Sequence, residues 1–136
     1  MKIATGDGNN RIAFSGNDVA TRIVTGNGNN QVTVARRSTA TIITGSGGDD
    51  LVDNSTGPVT MTGGGGKDIF EFLAGAHATV TDFQAGQDSI ILKGTSASQV
   101  QVVTGASSTL IDLGGGSSIQ LSGVSLTANQ LNLVYA

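Results

Sequence analysis

The chain reads as an all-β protein: a parallel β-roll, which is a form of β-solenoid, followed by a C-terminal region of antiparallel strands. Three observations predict this. A Gly-rich unit recurs at a step of 19 or 20 residues, two apolar ladders recur in phase with it, and no stretch carries a helical period of useful length. The one segment with some helical character, Ala74–Ala78, is short and contains Gly75.

The unit first appears as Thr5-Gly6-Asp7-Gly8-Asn9-Asn10-Arg11-Ile12. It returns as Thr25-Gly26-Asn27-Gly28-Asn29-Asn30-Gln31-Val32 and as Thr44-Gly45-Ser46-Gly47-Gly48-Asp49-Asp50-Leu51. A fourth copy is Gly63-Gly64-Gly65-Gly66-Lys67-Asp68-Ile69-Phe70, and a worn fifth runs from Asp82 to Ile90. The closing apolar residues Ile12, Val32, Leu51, Phe70 and Ile90 lie at steps of 20, 19, 19 and 20. Between the units a second ladder, Ile23, Ile42, Met61 and Val80, keeps a step of 19 throughout. Thr21, Ala40, Val59 and Ala78 sit two places earlier, the alternation of a strand.

Each repeat therefore carries two short strands and two turns. Two strands cannot close a hydrogen-bonded sheet alone, so each repeat must stack on the next. The expected result is a right-handed roll of about five coils over residues 1–92, with one ladder in each of two parallel sheets. Gly-x-Gly at the first turn supplies backbone angles that other residues resist. Residues 93–136 are expected to form a separate β cap. Within it the runs Gln99–Val103, Leu110–Leu113 and Ser118–Leu121, joined by short Gly/Ser/Thr links, read as an antiparallel meander.

Composition agrees with one domain and removes several function classes. There are 21 glycines but one proline among 136 residues, which excludes collagen and Pro-rich linkers. Charged residues are 12% and hydrophobic residues 38%, the reverse of a disordered chain. The net charge is −3 with seven scattered basic residues, so no nucleic-acid footprint exists. The absence of cysteine excludes a disulfide scaffold and a thiol nucleophile. No apolar run is long enough to span a membrane, and Met1-Lys2-Ile3-Ala4 opens no cleavable secretory signal.

The sixth position of the unit reads Asn10, Asn30, Asp49, Asp68, Asp88. Stacked coils are about 4.8 Å apart, so three successive carboxylates repel unless a cation lies among them. Carboxylates with Gly-loop carbonyls form a hard oxygen set, which suits Ca²⁺. The 49/68 and 68/88 gaps are expected to be the better sites. Asn10 and Asn30 bring no charge and are expected to form an amide ladder, leaving their gap weak or empty. An ordinary turn role competes with ligation at each aspartate. His77 is the only histidine, and no strand-turn-helix elbow surrounds any serine, so no enzyme activity is expected. Gly63–Gly66 with Lys67 lacks the Ser/Thr ending of a phosphate loop, and Arg36-Arg37 reads as a solvated turn.

At these residues the sequence resembles the hemolysin-type (RTX) calcium-binding repeats, whose nonapeptide is Gly-Gly-x-Gly-x-Asp-x-apolar-x. Gly63–Glu71 matches it at every defined place, and Thr44–Val52 misses only the first Gly. The resemblance implies carbonyl ligands at Thr44, Ser46, Gly63, Gly64, Gly65 and Gly66 beside the Asp49, Asp68 and Asp88 side chains. Asp82 is a further candidate ligand whose competing role is a turn cap. On the second edge, where the family usually repeats the motif, only Ser15-Gly16-Asn17-Asp18 is a remnant. The tail from Val80 to Leu92, and from Leu110 to Leu131, looks like the C-terminal region of serralysin-type proteases, including their uncleaved type I secretion signal.

The resemblance thus implies an extracellular bacterial module that folds on calcium after passing the type I secretion machinery, alone or attached to a parent enzyme domain. Two further readings stand beside it. One is a self-assembling extracellular structural protein, a filament or surface layer, extended through an uncapped solenoid end. The other is a carbohydrate-binding module of a secreted enzyme, for which the sequence offers no aromatic platform.

Overall fold

A computed structural model describes the backbone of residues 1–136 and every side chain except that of Asp18, so the part of the second-edge remnant that rests on Asp18 lies outside the described residues. The strands are β1 (Lys2–Ala4), β2 (Arg11–Val24), β3 (Gln31–Ile43), β4 (Asp50–Ser55), β5 (Pro58–Thr62), β6 (Ile69–Leu73), β7 (His77–Val80) and β8 (Ser89–Lys93). After them come β9 (Gln101–Thr104), β10 (Ser108–Gly114), β11 (Ser117–Ser122), a short helix α1 (Ala128–Leu131) and β12 (Val134–Tyr135).

The architecture is the expected parallel solenoid followed by antiparallel strands. One sheet stacks the first half of β2, the first half of β3, β4, β6, β8 and β12. The other stacks β1, the second halves of β2 and β3, β5 and β7, all parallel. Both ladders hold in register: Ile12 opposite Val32, then Leu51, Phe70 and Ile90, and Ile23 opposite Ile42, then Met61 and Val80. From Val32 and Ile23 onward each of these side chains is fully buried, and the pleat points them at one another across the slab. The Phe83 ring packs on Phe70 at a centroid separation of 6.3 Å, tilted by 54°.

The uneven steps have a local cause. The pairing of β2 with β3 shifts by one residue between Asn17 and Ala20, so the first extra residue is absorbed on the second edge. The second is taken up between Met61/Val80 and Phe70/Ile90, in the loop that carries Gln84 to Asp88. Both lie in turns, where an inserted residue does not turn a ladder to the wrong face.

The tail does more than follow the roll. β9, β10 and β11 form the antiparallel meander, and β11 then pairs parallel with β7, setting Ile119 beside Ala78 and Leu121 beside Val80. β12 pairs parallel with β8. Ile111, Leu113, Ile119, Leu121 and Leu131 belong to the same buried cluster as the roll. Helix α1 is started by Thr127, whose side chain accepts from the Gln130 N–H while the Gln130 side chain accepts from the Thr127 N–H. At the other end β1 adds Ile3 to the Ile23 stack, so that stack begins one strand earlier than residue 23. The Arg11–Asn17 part of β2 has no strand on its outer side, and Ile12 and Phe14 there are half-buried. Among the described residues no helix is long and apolar enough to cross a membrane.

Candidate metal centre on the Gly-rich edge

The loops at residues 5–10, 25–30, 44–49, 63–68 and 81–88 carry the chain from the second sheet to the first and stack along one edge. Backbone bonds tie them together: Gly8 N–H to the Asn27 carbonyl, Gly28 N–H to that of Ser46, and Gly47 N–H to that of Gly65, each 2.8 Å. Gly64 and Gly66 are required in the fourth loop. Their φ values are +78° and +118°, and a Cβ on either would lie 1.9 Å from the carbonyl oxygen of Gly45 or Gly47.

Asn10, Asn30, Asp49, Asp68 and Asp88 form a continuous file. From Asn30 on, one side-chain oxygen of each accepts the N–H of its counterpart in the preceding coil: Asn30 from Asn10 at 3.2 Å, Asp49 from Asn30 at 2.8 Å, Asp68 from Asp49 and Asp88 from Asp68 at 3.0 Å. The second side-chain atom separates the loops. Asn10 Nδ2 donates to the carbonyls of Gly6 and Gly8 at 2.9 and 3.0 Å, and Asn30 Nδ2 donates to those of Gly26 and Gly28 at 3.2 and 3.1 Å. In loops three and four the corresponding atoms are Asp49 Oδ2 and Asp68 Oδ2. Both residues are 1% exposed, and neither oxygen has a hydrogen-bond partner.

A buried carboxylate oxygen without a donor is costly, and it is relieved by a proton or by a cation. The pressure is visible at Asp68. Burial first, then the neighbouring Asp88, Asp49 and Asp82 carboxylates, push its pKa up to about 7 against the help of the Asp49 N–H. Asp88 is raised too, chiefly by burial, with Asp82 adding repulsion and the Asp68 and Gln84 N–H groups opposing it. No three His, Cys, Asp or Glu side chains converge among the described residues. A cation here would take about one carboxylate per loop and complete its shell with backbone carbonyls, an oxygen-only set of the kind Ca²⁺ accepts. The residues present fit that ion.

The other sequence-predicted residues fall on the same edge. Thr44 lies at the start of loop three, and its hydroxyl donates to the Gly63 carbonyl at 2.8 Å. Ser46 bridges Gly65, while its N–H and hydroxyl both reach Asn27 Oδ1. Asp82 takes the N–H groups of Gly63 and Gly64 at 2.9 and 2.7 Å, one on each oxygen, which is a cap on loop four. The Gly66 carbonyl accepts from Gln87 Nε2 at 2.6 Å. His77 stands apart, exposed on the outer face of β7 between Pro58 and Ser118.

Asp53 escaped the sequence reading. It is fully buried in a second inward row, between Val34 and Phe72. Its Oδ1 accepts from the Ser55 N–H and hydroxyl at 2.8 and 2.6 Å, and its Oδ2 has no partner. Burial pushes its pKa up to about 6, against the two Ser55 bonds. The signal was present: Phe14, Val34, Asp53, Phe72 and Leu92 keep the same steps as the first ladder, two places on.

Fold and edge together define a Gly-repeat β-roll with an oxygen-lined, carboxylate-bearing edge. The chain matches over residues 6–122 the family described as Peptidase M10 serralysin C terminal, and it belongs to that family. The match runs from the first Gly-rich loop to the last residue of β11, so it takes in the roll and the antiparallel strands. No curated protein matches the sequence.

Proposed function

We propose that this chain is an extracellular, non-enzymatic structural module that folds on calcium after type I secretion, with calcium held between coils three, four and five. The observation that carries the reading is the pair of buried, donorless oxygens Asp49 Oδ2 and Asp68 Oδ2 in the two loops that best match the calcium-repeat pattern. The ligands would be the Asp49, Asp68 and Asp88 carboxylates with carbonyls from Thr44, Ser46 and Gly63–Gly66. Asp82 serves the site as a cap. Family membership supports the structural role, because the matched family is the C-terminal part of serralysin peptidases. Calorimetric calcium titration and thermal melting with and without chelator test this. Binding at a hundredfold excess over Kd stabilises by about 2.7 kcal/mol per site, and a melting temperature indifferent to chelator would reject the site.

A second reading, self-association, is favoured by the unpaired outer edge of Arg11–Asn17, where a strand from another copy would continue the Ile12 stack. Light scattering at high concentration checks it, with Ala13→Pro removing an N–H on the outer side, since the Ile12 N–H is already committed to β3. A strictly monomeric wild type would dismiss it.

A further inference from the structure

We infer that the Asn10 and Asn30 amide groups are built-in substitutes for the cation, so that the first two loops need no metal and calcium dependence begins at loop three. This rests on the calcium reading above, and it deepens it by naming the residue that decides which loops load.

The geometry is specific. Asn30 Nδ2 lies within 3.2 Å of three oxygens: the Gly26 and Gly28 carbonyls and Asp49 Oδ1. Asn10 Nδ2 lies within 3.0 Å of three as well: the Gly6 and Gly8 carbonyls and Asn30 Oδ1. An amide NH2 has only two hydrogens, yet each nitrogen sits among three acceptors drawn from its own loop and the next coil. That is the oxygen environment a cation would occupy. At Asn30 the side-chain oxygen keeps the ladder bond, accepting the Asn10 N–H at 3.2 Å. Asparagine thus supplies both parts at once, an acceptor for the ladder and a positive group for the loop carbonyls. Aspartate supplies only the first and leaves an oxygen facing that environment, as the partnerless Oδ2 atoms of Asp49 and Asp68 show. Asn30 also gives Asp49 Oδ1 a second donor, so it closes the charged stack at its metal-free end.

Asn30→Asp converts a self-sufficient loop into a calcium-requiring one, and Asp49→Asn does the reverse. Both full-length variants are melted with calcium and with chelator, and titrated with calcium in a calorimeter. Asn30→Asp is expected to melt below wild type in chelator, to bind additional calcium, and to show a calcium-induced shift larger by on the order of 5 °C. Asp49→Asn is expected to melt above wild type in chelator with a smaller calcium shift. Asn10→Asp, at the half-exposed rim, repeats the first test should Asn30→Asp fail to fold. If the Asp variants gain no calcium shift over wild type, the inference is overturned. If wild type shows no calcium shift at all, the proposed function fails, while a shift acquired only by Asn30→Asp still upholds the substitution rule.

Discussion

On the Gly-rich edge successive coils turn in nearly the same way, and on the opposite edge the turn changes along the roll. The first edge repeats a Gly-x-Gly loop and a single ladder position that passes a hydrogen bond from coil to coil. The second is improvised. β2 and β3 run through it as unbroken strands, with Arg36 forced to φ +66° and Ser38 tying back to the Ala35 carbonyl at 2.5 Å. In the next coil Asp53 and Ser55 hold the turn, and after that Gly75 at φ +97° does. Coil-to-coil bonds exist on this edge too, Gly16 N–H to Ser38 Oγ at 3.3 Å and Thr56 N–H to the Arg36 carbonyl at 2.8 Å, but each uses different groups. A turn in which one side-chain position bonds the neighbouring coil every time must repeat, and repetition is what brings carboxylates into one file.

The largest expected effect is therefore a steric break of the repeated edge. Gly66→Ala places a Cβ 1.9 Å from the Gly47 carbonyl oxygen at φ +118°, while Gly86→Ala, at φ +82°, meets nothing within 4 Å. Overpacking and left-handed strain together cost about 3–5 kcal/mol at Gly66, and strain alone about 1–2 kcal/mol at Gly86. Denaturant titration in chelator separates them, and equal losses would show that the coils are not held at the close approach described. Next is Asp68→Ala, which borders both proposed gaps. It is expected to abolish most of a calcium-dependent stabilisation of about 2.7 kcal/mol per site at a hundredfold excess. An unchanged calcium response would remove Asp68 from the site.

The improvised edge has its own sensitivity. Asp53 is raised to about 6, so between pH 4 and 6 the native state keeps a proton that the unfolded chain releases. Stability contributed there falls as pH rises through that window, by about 2–3 kcal/mol in total. Asp68, raised to about 7, adds to the same trend in chelator, and calcium reverses its share by stabilising the charged form. Asp53→Asn is expected to flatten part of the pH 4–6 decline in unfolding free energy with chelator present. A decline equal to wild type would place the titration elsewhere. The smallest effect is Arg36→Gly, which relieves a non-glycine residue at φ +66° and stabilises by about 1 kcal/mol. A loss of stability would mean the Arg36 side chain contributes more than its backbone costs.

Much of this was legible in the chain because both signals are periodic. Ile12 to Ile90 and Ile23 to Val80 announce two stacked sheets, and a one-residue slip would turn either ladder to solvent. Asp49, Asp68 and Asp88 keep that phase, so their common edge was legible too. Asp53 was hidden because a strand reading assigns its buried face to apolar residues, and a lone aspartate there looks like an outward position. The donors of Asn10 and Asn30 were hidden for another reason: Asn and Asp share a shape and a turn preference, and only hydrogen-bond direction tells them apart.

The sequence by itself determined the repeat, the two ladders, the antiparallel tail strands and the file of Asx residues. These follow from local spacing, since period 2 within strands and a step of 19 or 20 between them leave few other ways to bury Val, Ile and Leu. Only the tertiary structure decided that β11 docks on β7 and β12 on β8, making tail and roll one core. It alone decided that Asn30 Nδ2 reaches three oxygens while Asp49 Oδ2 is buried without a hydrogen-bond partner. Those outcomes depend on which groups from distant coils meet within about 3 Å, and hydrogen bonding is too short-ranged and directional to be read from spacing along the chain.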